Sequence, residues 1–437
     1  MLAVEISTLF NKPSVCGKWE ATVKHFITCI MCFYLGGLSL AAGAAAMTQL
    51  TVWPATNCGS PDSLVVMPAE KLPALLGKPV NQITLLNYRD QQLLPITIQI
   101  DPRDDEGRFL LDDTNLSANP THLLGPKDEI VFRLADRASR FVPGDMKETP
   151  LVEIQVNDSK SGQTGWVYTG LSGSAANVPV DKAVDYTAAE DSIETNVYKV
   201  GFSGRYPFLI DTFQWKLAAN TWSPNVLDAM KIRHRGNMFG FISFRRTSND
   251  YSSRLTRVKE GPLRVIRRTE NRIRILWKLK TPALYVDYVM MPDSFVMDTI
   301  VDIPFNLGLF FSDVETLTTV DWRKGPALPE LTIRSPGTRG SLVVDGTMSE
   351  EKSRFNTLND TRLSVYSAYG AVHLTLDIPE DFAIQPWLYL SDRMGVADRP
   401  ENQPGQFGNV GYRTTGWENI DTEVHHLKFT TCVTPVD

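Results

Sequence analysis

The sequence predicts an all-β protein of two β-sandwich domains, the carboxy-terminal one a large antiparallel sandwich. Three observations carry this. Short apolar or alternating segments recur at intervals of about 8–15 residues between Pro, Gly, Asn and Asp clusters, the spacing of sandwiches and barrels. Helical periodicity is scarce. The 437 residues are 43% apolar and 22% charged, with a net charge of −6, which excludes a disordered chain and leaves ample material for full cores. No internal repeat of fixed period is evident, which argues against propellers and solenoids.

The chain opens on residues 1–46, read as a secretory signal with a long leading region. Phe26–Ala46 carries no charge, follows Lys24 and His25, and ends in small residues, so cleavage is expected after Ala46. An uncleaved membrane anchor is the alternative, because about 20 apolar residues span a bilayer. Cys16, Cys29 and Cys32 fall in this leader, leaving Cys58 and Cys432 in the mature chain. One near each end suggests a disulfide formed in an oxidising compartment, with two buried thiols as the alternative.

Residues 47–170 read as a small β-sandwich domain, with strands expected at Gln82–Leu86, Pro95–Ile100, Glu129–Leu134, Leu151–Val156 and Gly165–Thr169. A loop-rich linker is placed at 171–189, and residues 190–437 form the large sandwich. Ser223-Pro224 leading into Asn225–Lys231 is the best helical candidate, with Ser as cap and Pro in the first turn. The clearest strand is Arg272–Lys280, where Ile273, Ile275, Trp277 and Leu279 alternate with mainly basic residues. That register puts Trp277 in the core with Ile273, Ile275 and Leu279. Further strands are expected at Tyr285–Met291, Asp298–Ile303, Ser341–Val344, Leu363–Ser367, Val372–Leu376 and Val424–Thr430.

Four segments carry a resemblance: LLPITIQIDPRD, GPKDEIVFRLADR, EGPLRVIRR and GQFGNVGYR. With them the chain resembles uncharacterised secreted β-sandwich proteins of bacteria, its second half similar in style to the galactose-mutarotase and polysaccharide-lyase superfamily. The resemblance implies an extracellular, carbohydrate-related setting and transfers no active-site residue.

The catalytic motifs of α/β-hydrolases, phosphate-binding loops and zinc proteases are absent from the sequence, and two distant cysteines exclude a cysteine-based zinc site. No metal and no cofactor is expected. His425 and His426 are adjacent in an expected strand and point to opposite faces, while His373 reads as a sheet residue. The carboxylates Asp101, Asp104, Asp105, Glu106, Asp112 and Asp113 read as a solvated turn rather than a calcium loop. Asp287, Asp293, Asp298 and Asp302 offer carboxylates for glycoside chemistry only if the fold pairs them.

Charge segregation is the informative feature. Residues 231–280 hold fifteen Lys or Arg, eleven of them Arg, against Asp250, Glu260 and Glu270. These cations either pair with the acidic remainder across the sheet or form a basic face suited to carboxylate, sulfate or phosphate. The ligand-binding candidates are Arg233, Arg235, Arg245, Arg246 and Arg254. The expected function is a secreted or periplasmic non-catalytic binding or structural protein. Its partner is an acidic polysaccharide or a negatively charged surface protein, with no nucleic acid and, after signal cleavage, no membrane. A polysaccharide lyase or glycoside hydrolase is the alternative, with His234 or Tyr251 as base and Arg254 among the neutralising cations. A subunit of a cell-surface assembly is the second alternative.

Overall fold

In the computed structural model the described residues are 48–437, apart from 57, 59, 61, 112–121, 142–151, 172–181, 220, 277, 304, 326–327, 381 and 437. The expected signal, its cleavage site and Trp277 lie outside them. Secondary structure is almost entirely strand, and the fold class is that of an all-β antiparallel sandwich protein. Among the described residues, no helix is long and apolar enough to cross a membrane.

The amino-terminal part folds as a five-stranded sheet in the order Thr48–Val52, Val152–Asn157, Thr164–Leu171, Ile83–Arg89, Gln92–Ile96. A three-stranded sheet, Leu64–Pro68, Glu129–Arg133 and Gln99–Asp101, accompanies it. Thr48–Val52 runs parallel to Val152–Asn157, and every other described pairing is antiparallel. Inward alternation along these strands buries Val65, Met67, Leu85, Ile130, Phe132, Ile154 and Val167 in one core.

From residue 184 onward three further sheets enclose a second core. The largest runs in the order Tyr251–Glu260, Val265–Leu276, Leu284–Met290, Ser294–Asp302, Val424–Pro435, Gly370–Asp377, Arg362–Ser367, Leu331–Arg334, Leu342–Val344. A five-stranded sheet of Ile242–Thr247, Leu227–Met238, Phe311–Trp322, Gln406–Thr415 and Gln385–Arg393 packs against it, and a sheet spanning Val184–Trp222 closes one side. Tyr288, Met297, Val372 and Phe429 from the large sheet meet Leu227, Met230, Trp322 and Val410 from its partner. A third cluster, with Leu64, Phe109 and Leu111 against Leu263, Ile266 and Val289, joins the two parts. Residues 47–437 thus form one compact unit.

Two covalent and polar links reinforce that joint. Cys58 and Cys432 form a disulfide, S–S 2.08 Å, across 374 residues of sequence. Asp101, fully buried, receives Lys259 Nζ at 2.6 Å and Arg264 at 2.7 Å. The charges of Arg264 and Lys259 outweigh its burial and hold its carboxyl below the usual range. The 101–113 region is therefore no solvated turn at its first residue, because Asp101 anchors the large sheet.

The expected helix at Asn225–Lys231 is instead an irregular link at 225–226 running into the strand Leu227–Met238. Its Ser-Pro-Asn signal is used sideways: Ser223 Oγ accepts from Trp215 N and Asn225 Oδ1 accepts from Phe213 N and Leu227 N. Those bonds tie the segment to a neighbouring strand instead of capping a helix. The described α-helix is Glu350–Phe355, capped by Ser349 with Glu350 and Glu351 in its first turn. The Arg272–Lys280 strand is also corrected. It ends at Leu276, and Leu279–Lys280 folds back on it with Leu276 opposite Leu279. Ile273 and Ile275 stay half-buried, whereas Leu279, on the return limb, is 61% exposed.

Candidate functional site

The strand Leu227–Met238 carries three of the seven candidates, Arg233, His234 and Arg235, and alternates cleanly. Lys231, Arg233 and Arg235 project to one face, where Asp321, Asp398 and Glu315 receive them at 2.6, 3.2 and 2.9 Å. Arg245, on the next strand, shares Asp398 at 2.8 Å. Arg246 donates to the backbone carbonyls of Arg245, Arg274 and Ile275. Arg254 pairs with Glu270 at 2.5 Å, an interaction that lowers the Glu270 pKa and raises that of Arg254. Lys259, Arg264, Arg267, Arg268, Arg272 and Arg274 also have carboxylate partners. The basic stretch is therefore largely neutralised within the fold, much of it by acids distant in sequence.

Ile232 and His234 face the other way, into the space between the sheets. There His234 meets Tyr251: Nε2 and the phenol oxygen are 2.6 Å apart, and Nδ1 is 2.8 Å from Thr316 Oγ1. Both partners are hydroxyls that can donate or accept, and burial lowers the ring's pKa to about 4, which keeps it neutral near pH 7. Burial raises the Tyr251 phenol strongly. The pair borders a cavity of about 230 Å³ lined chiefly by apolar side chains. Arg254 belongs to the opposite face of the sheet, as does Arg235 on its own strand. His234 and Tyr251 are brought together; the arginines expected to accompany them in a lyase are not.

Arg254 instead borders an open cleft of about 560 Å³ where the amino-terminal part meets the outer face of the large sheet. Arg108, Arg254, Arg257 and Arg268 line it, with Tyr285 on its floor and Asp104 and Glu270 among them. Asp104 holds Arg108 at 2.7 Å and Asp287 holds Arg268 at 2.6 Å. A guanidinium has five N–H donors, so each of these pairs orients its arginine while leaving donors for a further acceptor. Sequence reasoning did not single out Arg108, Arg257, Arg268 or Tyr285. Arg108 sits among carboxylates in sequence and comes to the cleft only through the joint between the two parts.

The scattered aspartates are partly assembled. Asp287 and Asp298 are register partners on adjacent strands, and both are buried, Asp287 against Arg268 and Asp298 against His426. Asp293 accepts from Ser63 and Ser294. None of these carboxylates lines the cleft or the cavity, whereas Asp302 lines the cavity. No group of three or more His, Cys, Asp or Glu among the described residues could hold a metal ion.

No protein family and no curated protein matches the chain. Among solved structures it is similar to an alpha-mannosidase from Enterococcus faecalis V583, at 10% identity and a TM-score of 0.42, over 85% of this chain and 41% of that one. It is also similar to a beta-arabinopyranosidase, at 9% identity and a TM-score of 0.26, over 57% of this chain and 40% of that one. The chain thus spans about two fifths of the length of either enzyme.

Proposed function

We propose that the chain is an exported, non-catalytic binding protein whose recognition site is the arginine-lined cleft, and that its ligand is an acidic polysaccharide. The observation that carries this reading is the convergence of Arg108, Arg254, Arg257 and Arg268 around Tyr285 in one open cleft. Guanidinium groups match carboxylate and sulfate bidentately, and an aromatic face beside them suits a sugar ring. Export is supported by the disulfide, a bond that persists in oxidising compartments. The lyase alternative lacks support in the geometry, because its base candidates face an apolar cavity away from Arg254 and the cleft.

The test is retention on acidic polysaccharides such as polygalacturonate and heparin at rising salt. Affinity should fall steeply with ionic strength, as each neutralised charge releases a counterion. Arg254→Gln with Arg257→Gln should weaken retention at least about tenfold, the loss of one to two charge-assisted contacts. The melting temperature should hardly move, since exposed ion pairs contribute little to stability. A wild type that ignores these polymers at low salt would remove the proposal.

A further inference from the structure

The intersheet cavity has no part in that reading, and its surroundings are unusual for a plain packing defect. Its volume, about 230 Å³, exceeds the roughly 150 Å³ of apolar cavities that stay dry and admit benzene. Ile232, Ile273, Leu284, Val301 and Phe429 are among its walls. Polar groups are few and specific. The His234–Tyr251 pair is one, and Asn271, 1% exposed, is another. Asn271 Nδ2 donates to Thr269 Oγ1, while Oδ1 has no hydrogen-bond partner among the described residues.

The cavity leads to an apolar end of the sandwich. Phe305 lines it and is partly exposed; its ring packs edge-on against Phe310 at 5.5 Å, and Phe310 packs against Phe239 at 6.2 Å. Phe239 N also donates to Phe310 O at 2.8 Å, binding the tip of the 238–242 hairpin to the end of the Leu307–Leu309 turn. On these two tips Phe241 is 79% and Leu309 73% exposed. Phe239 takes φ +52°, a left-handed conformation that a bulky aromatic rarely adopts. Contiguous exposed apolar groups of this kind mark a contact surface for something apolar.

Charge decides what that something carries. Arg246 and Arg274 line the cavity beside Asp302. Arg274 is held by Asp250, but Arg246 has only backbone carbonyl acceptors and no carboxylate within ion-pair distance among the described residues. Asp302 lines the same cavity without an ion pair to Arg246, and three carbonyl bonds leave the guanidinium donors for an anionic head group on an apolar tail.

We infer that this end of the sandwich binds an anionic amphiphile, with its fatty acyl chain in the cavity between Ile232, Ile273 and Phe429 and its carboxylate or phosphate at Arg246. Phe241 and Leu309 then form the lip through which the chain enters. The inference uses none of the cleft arginines and stands or falls apart from the polysaccharide reading.

The full-length protein is titrated calorimetrically with monomeric dodecanoate and with dodecanol, and sedimented with phosphatidylglycerol or phosphatidylcholine vesicles. Saturable dodecanoate binding is expected. Arg246→Gln should weaken it about tenfold, one charge-assisted contact, while leaving dodecanol unchanged. Ile232→Trp, which fills the cavity, should abolish both; if that variant does not fold, Val314→Phe makes the same test with less added bulk. Binding of monomeric dodecanoate identifies a free fatty acid as a source. Sedimentation with phosphatidylglycerol vesicles alone, lost in Phe241→Ser with Leu309→Ser, identifies a bilayer lipid. The inference is overturned if neither form of acyl chain binds. It is equally overturned if binding survives the cavity and rim variants, or if vesicle association persists after both lip residues are replaced and dodecanoate does not bind.

Discussion

His234 shows how position decides what a side chain can do. Its sequence neighbours are cations, which disfavour protonation, yet in the fold those cations point to the other face. Burial between two sheets is what lowers its pKa to about 4. In the unfolded chain the ring titrates near its ordinary 6.5. Between these values the unfolded state holds the extra proton, so stability is full above pH 6.5 and declines as pH falls toward 4, by about 3 kcal/mol at most. Arg246, Arg274 and Asp302 line the same cavity, but the ring's hydrogen bonds go to Thr316 and Tyr251, so burial dominates its titration. Urea denaturation at pH 7.5 and 5 should therefore show a smaller pH difference for His234→Gln than for the wild type. Equal differences in the two proteins would mean the ring stays solvated.

At the level of elements, strands were largely legible and their ends were not. Period-two alternation located Glu129–Arg133, Val152–Asn157, Arg362–Ser367 and Gly370–Asp377 to within a residue or two, because one face of each is buried and the other is not. Where a short polar motif has two uses, local pattern cannot choose between them. Ser223 and Asn225 have the chemistry of a helix cap and serve instead as acceptors for a neighbouring strand's amides. The same limit applies to Asp101, which looks like part of an acidic turn and is in fact the buried partner of Lys259 and Arg264. Asp101→Ala would leave both cations in a dry site, a loss of about 3–5 kcal/mol for a broken buried pair. Denaturant titration measures it, and a loss within about 0.5 kcal/mol, the range of ordinary surface substitutions, would show that water reaches the joint.

Across the whole molecule, the segregation of charge along the sequence is resolved in space. The cations of residues 231–280 meet Asp101, Glu129, Asp191, Asp287, Glu315, Asp321 and Asp398, acids drawn from both parts of the chain. Composition revealed the imbalance; only the strand order told which acids answer it, and the cleft and cavity arise from packing between sheets that no local pattern encodes. The disulfide was readable because two cysteines remain outside the stretch read as a signal, so a pairing between them had one solution. Closing a loop of this length contributes up to about 5 kcal/mol in the chain-entropy picture. Reduction, or Cys58→Ser with Cys432→Ser, should lower the denaturation midpoint accordingly, and an unchanged midpoint would show that the loop restrains little of the unfolded chain.

That bond also makes residues 58–432 a covalent ring. A protease that cuts one exposed turn, such as the Phe239–Gly240 tip, opens the ring without dividing the molecule. The nicked protein should run as a single species until a thiol reductant is added, and only then separate into two pieces. Wherever cleavage is frequent and reductant scarce, a chain closed on itself in this way can lose a peptide bond and keep every strand in place.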